Sequence, residues 1–314
     1  MSTLPSLHFA AHSFTGLEAG PSLIVLGAVH GNEVCGSLAI RRVLAAIEAG
    51  EIVIRRGRVT FVPVANPLAW HHRAREGDRN LNRRLQPTDA PAEFEDHVAN
   101  WLCPLLDAHE ALLDLHSFHT PGDPFVMLGP EDNDGPLEAF ARATEERALA
   151  RCLGIRRFVD GWLDTYARGV ARRDAGADAH YGVGTTEYMR SRGGYGLTVE
   201  CGQHDDPAAI DVAEACIRST LAHLGLTDDA TPSPTPSVEH MRMHEVVDKT
   251  HDEDAFVHDW DSFDCLRAGD VIGIRADGTR VVAEHDGYIL FPNPAASANQ
   301  EWFYLTVPVA HSTP

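Results

Sequence analysis

His30 and Glu33 stand three residues apart in "VLGAVHGNEVCG" (Val25 to Gly36), where an apolar run gives way to glycine and then to a helical pattern. At that spacing an imidazole nitrogen and a carboxylate oxygen share one helix face and can converge on one ion at roughly 2 Å. The pair alone is weak evidence, because with 18 histidines in 314 residues one such HxxE is expected about once by chance. Its position adds weight: it follows the strand-like "LIVLG", and in open α/β sheets ligands bind beyond the carboxyl ends of strands. Three other polar groupings pass the same test. His116 ends "ALLDLHS", Glu200 ends "LTVECG", and "REGDRNLNRR" begins a short way after "VTFVPVAN".

A catalytic zinc site takes three protein ligands and keeps a fourth position open, so His30 and Glu33 need one partner from elsewhere. His116 is the choice, with His119 as runner-up because "DLHSFH" offers two imidazoles; Asp114 is read as pointing to the opposite face of the strand. One Zn2+ per chain is the expected cofactor. Hydrolysis also needs a carboxylate to take a proton and pass it to the leaving nitrogen, and Glu200 suits, since its apolar surroundings raise a carboxyl pKa towards working pH. "RAREGDRNLNRR" packs five arginines into twelve residues. Arg75, Asn82 and Arg83 are assigned to the cleft, where planar guanidinium groups bind carboxylates and polarise a carbonyl, while Arg73, Arg79 and Arg84 are assigned to a solvated surface. "MRSRGGYG" brings Arg190 and Arg192 as a second arginine source ahead of Glu200. A positively lined acyl pocket predicts a preference for dicarboxylic acyl groups.

These segments together resemble the succinylglutamate desuccinylase and aspartoacylase family, within the zinc carboxypeptidase-like hydrolases. "GAVHGNE" is similar to its first metal motif, "DLHS" to its third-ligand motif, "VANPLA" through "NLNRR" to its substrate-binding loop, and "VECGQ" to its catalytic glutamate segment. The resemblance implies zinc ligands at His30, Glu33 and His116, carbonyl polarisation by Arg75, carboxylate binding by Asn82 and Arg83, and Glu200 as general base and acid. It makes Arg190 or Arg192 a further substrate-binding candidate. The implied fold is a mixed sheet flanked by helices, followed by a β-rich domain that narrows access to the zinc, to which "DGYILFPN" is similar. Two departures stand out: Asn80 replaces the aspartate that many members carry in Asp-Leu-Asn-Arg, and no C-terminal tyrosine that grips an acidic acyl group can be matched.

The elements that must position these residues read as α/β. Apolar runs alternate with helical patterns at Val34 to Ala49, Phe94 to His109, Pro136 to Leu153 and Pro207 to Leu224. The last of these has Asp206 to cap it, Pro207 in its first turn and Gly225 to close it. "TDDATPSPTPS" reads as a linker, and the turn signals "AGD", "ADGT" and "HDGY" beyond it mark a small all-β module. The expected division is a catalytic domain over 1–226, a linker over 227–240 and a β-rich domain over 241–314.

Composition bounds the rest. Asp and Glu outnumber Lys and Arg by 46 to 26, a formal charge of -20 that argues against nucleic acid and anionic membrane surfaces. A few arginines in a cleft can still bind a small anionic N-acyl amino acid. Six scattered cysteines without a CxxC pair suit reduced, buried thiols, and the opening "MSTLPSLHFAAHSF" lacks a basic region followed by an apolar core, so a cytoplasmic protein is expected. Homo-oligomerisation stays open. The leading expectation is a zinc-dependent deacylase; the alternatives are a zinc carboxypeptidase acting on short peptides and a non-catalytic binding protein on the same fold.

Overall fold

The computed structural model describes residues 7–173 and 178–309, so the first six residues of the opening stretch lie outside the described residues. In chain order the elements are β1 (His12–Thr15), β2 (Glu18–Gly27), α1 (Cys35–Glu48), β3 (Arg56–Val62), α2 (Pro67–His72), α3 (Phe94–Asp107), β4 (Ala111–Phe118), β5 (Phe125–Met127), α4 (Ala143–Arg151), β6 (Arg157–Asp160), α5 (Trp162–Arg173), α6 (Thr185–Ser191), β7 (Tyr195–Gln203) and α7 (Ala208–His223). Strands alone follow: β8 (Glu239–Asp248), β9 (Ala255–Phe256), β10 (Cys265–Leu266), β11 (Val271–Ile274), β12 (Arg280–Val282), β13 (Gly287–Leu290) and β14 (Glu301–Pro308).

Eleven strands form one mixed sheet in the order β1-β3-β2-β4-β7-β5-β6-β8-β14-β13-β10, and β12-β11-β9 form a small second sheet. The centre, β3-β2-β4-β7, is parallel. Strands so placed are covered on both faces and read as continuous apolar runs, as β4 does with every residue buried. Side chains alternate across this centre: Leu23 and Val25 pack with α1 and α7 on one face, and Ile24 and Leu26 pack with α3 and α6 on the other. Among the described residues no helix is long and apolar enough to cross a membrane.

Two expectations change. The helix read from Pro136 starts only at Ala143, because Asn133 and Phe140 exchange backbone hydrogen bonds and Asp132 accepts the Ala143 N–H, giving the preceding chain other partners. In the segment 227–240 strand β8 already begins at Glu239; Thr235 is anchored through its N–H and hydroxyl to the Arg151 carbonyl. Because β8 pairs with β6, the C-terminal strands extend the main sheet.

The turn holding His30 and Glu33 depends on a bare backbone at Gly31. A Cβ there would collide with the Ala69 carbonyl group of α2, the short helix that Asn66 caps by accepting the Ala69 N–H. Gly31→Ala is therefore expected to destabilise the fold by about 1–3 kcal/mol. An unchanged midpoint in thermal denaturation would show that α2 yields freely.

Candidate metal centre and its cleft

His30 and Glu33 lie just before α1, in a turn closed by the Glu33 N–H to His30 carbonyl bond, rather than within the helix itself. His116 stands near the carboxyl end of β4 and Glu200 on β7, and the parallel register sets them side by side. Three strand ends thus deliver side chains separated by many residues to one place.

There His30 Nδ1 is 2.8 Å from Glu33 Oε1 and His116 Nδ1 is 2.9 Å from Glu33 Oε2. One ligand atom from each residue lies within 4.8 Å of the others, and all three residues are buried. Burial, and then the charge of Arg75, lowers the His30 pKa to about 4, so its ring is neutral near pH 7. The Asn80 side-chain oxygen lies 3.1 Å from His30 Nε2 and assigns the ring proton to that nitrogen. Nδ1 then turns its lone pair towards Glu33 Oε1, and the two acceptors share one donor, Arg75 Nη1, 3.3 Å from the nitrogen and 3.1 Å from the oxygen. Burial disfavours a charged His116, but Asp114 and Glu33 outweigh it and push its pKa well above the ordinary value; burial likewise opposes ionisation of Glu33, yet the two imidazoles hold its pKa well below the usual range. Two imidazoles and one carboxylate, buried and converging on the wall of a cavity, fit a divalent metal of the zinc type.

Partners behind the ligands orient them. Asp114 Oδ2 is 2.9 Å from His116 Nε2, which corrects its placement on the opposite face: residues two apart in a strand share a face. Ser117 donates its N–H to Glu33 Oε2, and its hydroxyl lies 2.9 Å from His204 Nδ1. Sequence reasoning missed His204, which carries no recognisable motif beyond its place just after Glu200. His119 bonds the Pro292 carbonyl and stays outside the ligand set.

One cavity gathers Arg75, Asn82, Arg83, Arg190 and Glu200 with the three ligands. Arg75 Nη1 donates to Glu33 Oε1 at 3.1 Å. Glu200 is buried, its Oε2 has no hydrogen-bond partner, and burial followed by the Glu33 charge pushes its pKa up to about 8. Asn82 Oδ1 accepts the Thr185 N–H, leaving its amide hydrogens for a ligand. The Arg83 guanidinium lies against Trp162 and Tyr166, 4.8 and 4.6 Å from the ring centres. Tyr304, from β14, lines the same cavity with a buried hydroxyl that has no partner, and no motif marked it in the sequence.

Three arginines depart from expectation. Arg79 is buried, not solvated, and pairs with Glu93 and Asp96 at the start of α3. Arg192 is not brought to the cleft: it is half exposed and pairs with Asp107. Arg192→Ala should therefore change activity less than about twofold and stability by no more than about 0.5 kcal/mol; a large loss in kcat/KM would return it to the site. Arg190 reaches the cavity wall, but Glu138, Glu146, Glu187 and the Gly196 carbonyl surround its guanidinium. All six cysteines are free, and only Cys265 is exposed.

Family-model comparison matches residues 19–146 to the succinylglutamate desuccinylase/aspartoacylase catalytic domain and residues 236–309 to the AstE/AspA barrel-sandwich hybrid domain. The first range contains His30, Glu33, Arg75, Asn82, Arg83 and His116; Glu200 falls between the two. No curated protein matches the sequence. Among solved structures, a succinylglutamate desuccinylase/aspartoacylase from Rhodobacter sphaeroides is 18% identical, with a TM-score of 0.74 over 96% of this chain and 90% of that one. The product-bound ectoine utilization protein EutE (DoeB) from Ruegeria pomeroyi is 18% identical, with a TM-score of 0.73 over 95% and 88%. An aspartoacylase family protein from Mesorhizobium loti is 22% identical, with a TM-score of 0.65 over 96% and 90%. At these identities the likeness carries the fold.

Proposed function

We propose, on the premise that this chain belongs to the succinylglutamate desuccinylase/aspartoacylase family of hydrolases, that it is a zinc-dependent amidohydrolase removing the acyl group from an N-acyl amino acid or a related small amide. The observation that carries the reading is the meeting of His30, Glu33 and His116 on the wall of the cavity that also holds Glu200 and Arg75.

Zinc held by His30, Glu33 and His116 supplies an acidified water and a Lewis acid for the carbonyl. Glu200 accepts the proton of the attacking water and returns it to the departing amine; its raised pKa suits a group that must do both. Arg75 ends beside the ligand set, where its guanidinium can face the carbonyl oxygen as negative charge develops. Asn82 and Arg83 hold the substrate carboxylate. Arg83 suits this role because, among the described residues, no carboxylate lies within ion-pair distance of it, while Trp162 and Tyr166 fix its plane.

Phe291, Asn293, Glu301 and Tyr304 wall the cavity from the C-terminal side. That enclosure supports a small amide over an open peptide groove, and a division of labour in which residues 1–226 bear the chemistry and 241–314 shape access across the 227–240 segment. The six free thiols support a cytoplasmic setting. Zinc-loaded protein assayed against N-acyl amino acids and short peptides tests the reading: turnover of the acyl amino acids is expected, and C-terminal trimming of peptides alone would replace it with a carboxypeptidase.

A further inference from the structure

Strand β7 falls out of step with β4 past Glu200. Glu200 stands opposite His116, but Gln203 stands opposite Phe118, so three steps along β7 cover two along β4 and one residue is inserted. The insertion is a β-bulge, and Gly202 absorbs it at a φ of 132°, a value that side-chain-bearing residues rarely adopt. Such a bulge re-aims the side chains beside it. Beyond Gly202 the chain stays on the end of β4: the His204 N–H donates to the Phe118 carbonyl, and the Gln203 side-chain amide donates to the His119 carbonyl.

The His204 imidazole then sits between the two segments that carry the metal ligands. Its Nδ1 is 2.9 Å from the hydroxyl of Ser117, which follows His116, and its Nε2 is 3.5 Å from Nδ2 of Asn32, which precedes Glu33. Burial, opposed by Glu33 and reinforced by Arg75, lowers the His204 pKa, so the ring is neutral near pH 7 and offers one donor and one acceptor. The Asn32 Nδ2 group donates, which assigns the lone pair to Nε2 and the ring proton to Nδ1. Nδ1 therefore donates to Ser117 Oγ, and Ser117 donates its backbone N–H to Glu33 Oε2 at 3.1 Å. Ser117 is buried, so loss of the imidazole removes a donor from a hydroxyl shielded from solvent. His204 itself lies outside the ligand set.

We propose that His204 is a positioning residue of the metal centre: acting through Ser117, it fixes the N–H that holds Glu33 Oε2 and so keeps Glu33 aimed between the two ligating imidazoles. The inference rests on the zinc site of the proposed hydrolase and not on its turnover. The bulge after Glu200 in this way couples the strand that bears the general base to the segments that bear the ligands.

Zinc affinity, read by competition with a chromogenic chelator, tests this without any substrate. His204→Ala is expected to weaken zinc binding by about tenfold at an unchanged stoichiometry of one ion per chain. His204→Asn should recover most of that loss, because the asparagine Nδ2 stands where the ring Nδ1 stood and still donates to Ser117 Oγ. Ser117→Ala should weaken binding to a similar degree, and the double variant no further, since both changes break the same bond. A side chain that only fills space gives neither the recovery nor the non-additivity. If His204→Ala does not fold, the comparison runs between His204→Asn, expected near the parent affinity, and Ser117→Ala, expected about tenfold weaker. Unchanged affinity in His204→Ala, no recovery in His204→Asn, or additive losses in the double variant overturns the inference and leaves the zinc site standing. Loss of stoichiometric zinc in His204→Ala also overturns it, by making the imidazole a ligand, and an unmutated protein that takes up no zinc overturns the inference together with the zinc site.

Discussion

Replacing Glu200 by glutamine is expected to lower kcat by about 10²–10⁴-fold while leaving the bound metal in place. Glutamine keeps the volume of the side chain but cannot take up a proton, and Glu200 is not among the residues that converge as ligands. Its unpartnered Oε2, deep in the cavity wall, is free to meet a water or an amine. The pH profile follows from the same burial. Acting first as a base, Glu200 must be ionised, so kcat/KM rises as pH passes upward through its pKa. Burial and the Glu33 charge, against the pull of His116 and Arg75, push that pKa up to about 8, and a divalent cation next to it lowers the value, placing the acid limb below pH 8. The limb should vanish in Glu200→Gln. Full activity in that variant, with metal content unchanged, would remove Glu200 from the mechanism.

Metal removal should have a comparable effect. Dialysis against a chelator is expected to reduce hydrolysis to below about 1% of the loaded rate, and added zinc to restore it, because the water is not acidified by the protein alone. The ligand set should grade the response. Glu33→Gln takes away the negative charge on which both imidazoles converge, so it should abolish stoichiometric zinc binding. Asp114→Asn and Asn80→Ala leave every ligand in place but loosen the orientation of His116 and His30, and should weaken zinc affinity by about 10–100-fold. Asn80, a neutral acceptor, gives the departure from Asp-Leu-Asn-Arg a structural meaning: it can fix the His30 tautomer without adding a second negative charge. Equal affinities across the series would mean that the metal sits elsewhere.

Much of the site was legible because its residues sit at strand ends, where apolar runs stop at chemically active side chains. "LIVLG", "ALLDLHS" and "LTVECG" fold as β2, β4 and β7, and their parallel pairing sets His116 against Glu200. Helix α7 was legible from punctuation, and Asp206 accepts the Ala208 N–H at its start. What escaped depended on contacts between remote segments. Arg190 looked like a substrate arginine because nothing nearby in sequence shows Glu138 and Glu146 arriving from the α4 region to neutralise it. Arg79 looked solvated for the same reason, its partners lying at the start of α3. Tyr304 reaches the cavity only because β5, β6 and β8 carry the sheet across to β14, and β5 and β6 are too short for alternation to reveal them. The placement of Asp114 was an error of strand geometry rather than of missing information.

The central claim is that His30, Glu33 and His116 hold one divalent cation. Crystals of zinc-loaded protein, measured on both sides of the zinc absorption edge, test it most directly. A single anomalous peak is predicted at roughly 2 Å from His30 Nδ1, a Glu33 carboxylate oxygen and His116 Nδ1, and a peak bound by other residues, or none at full zinc loading, would contradict it.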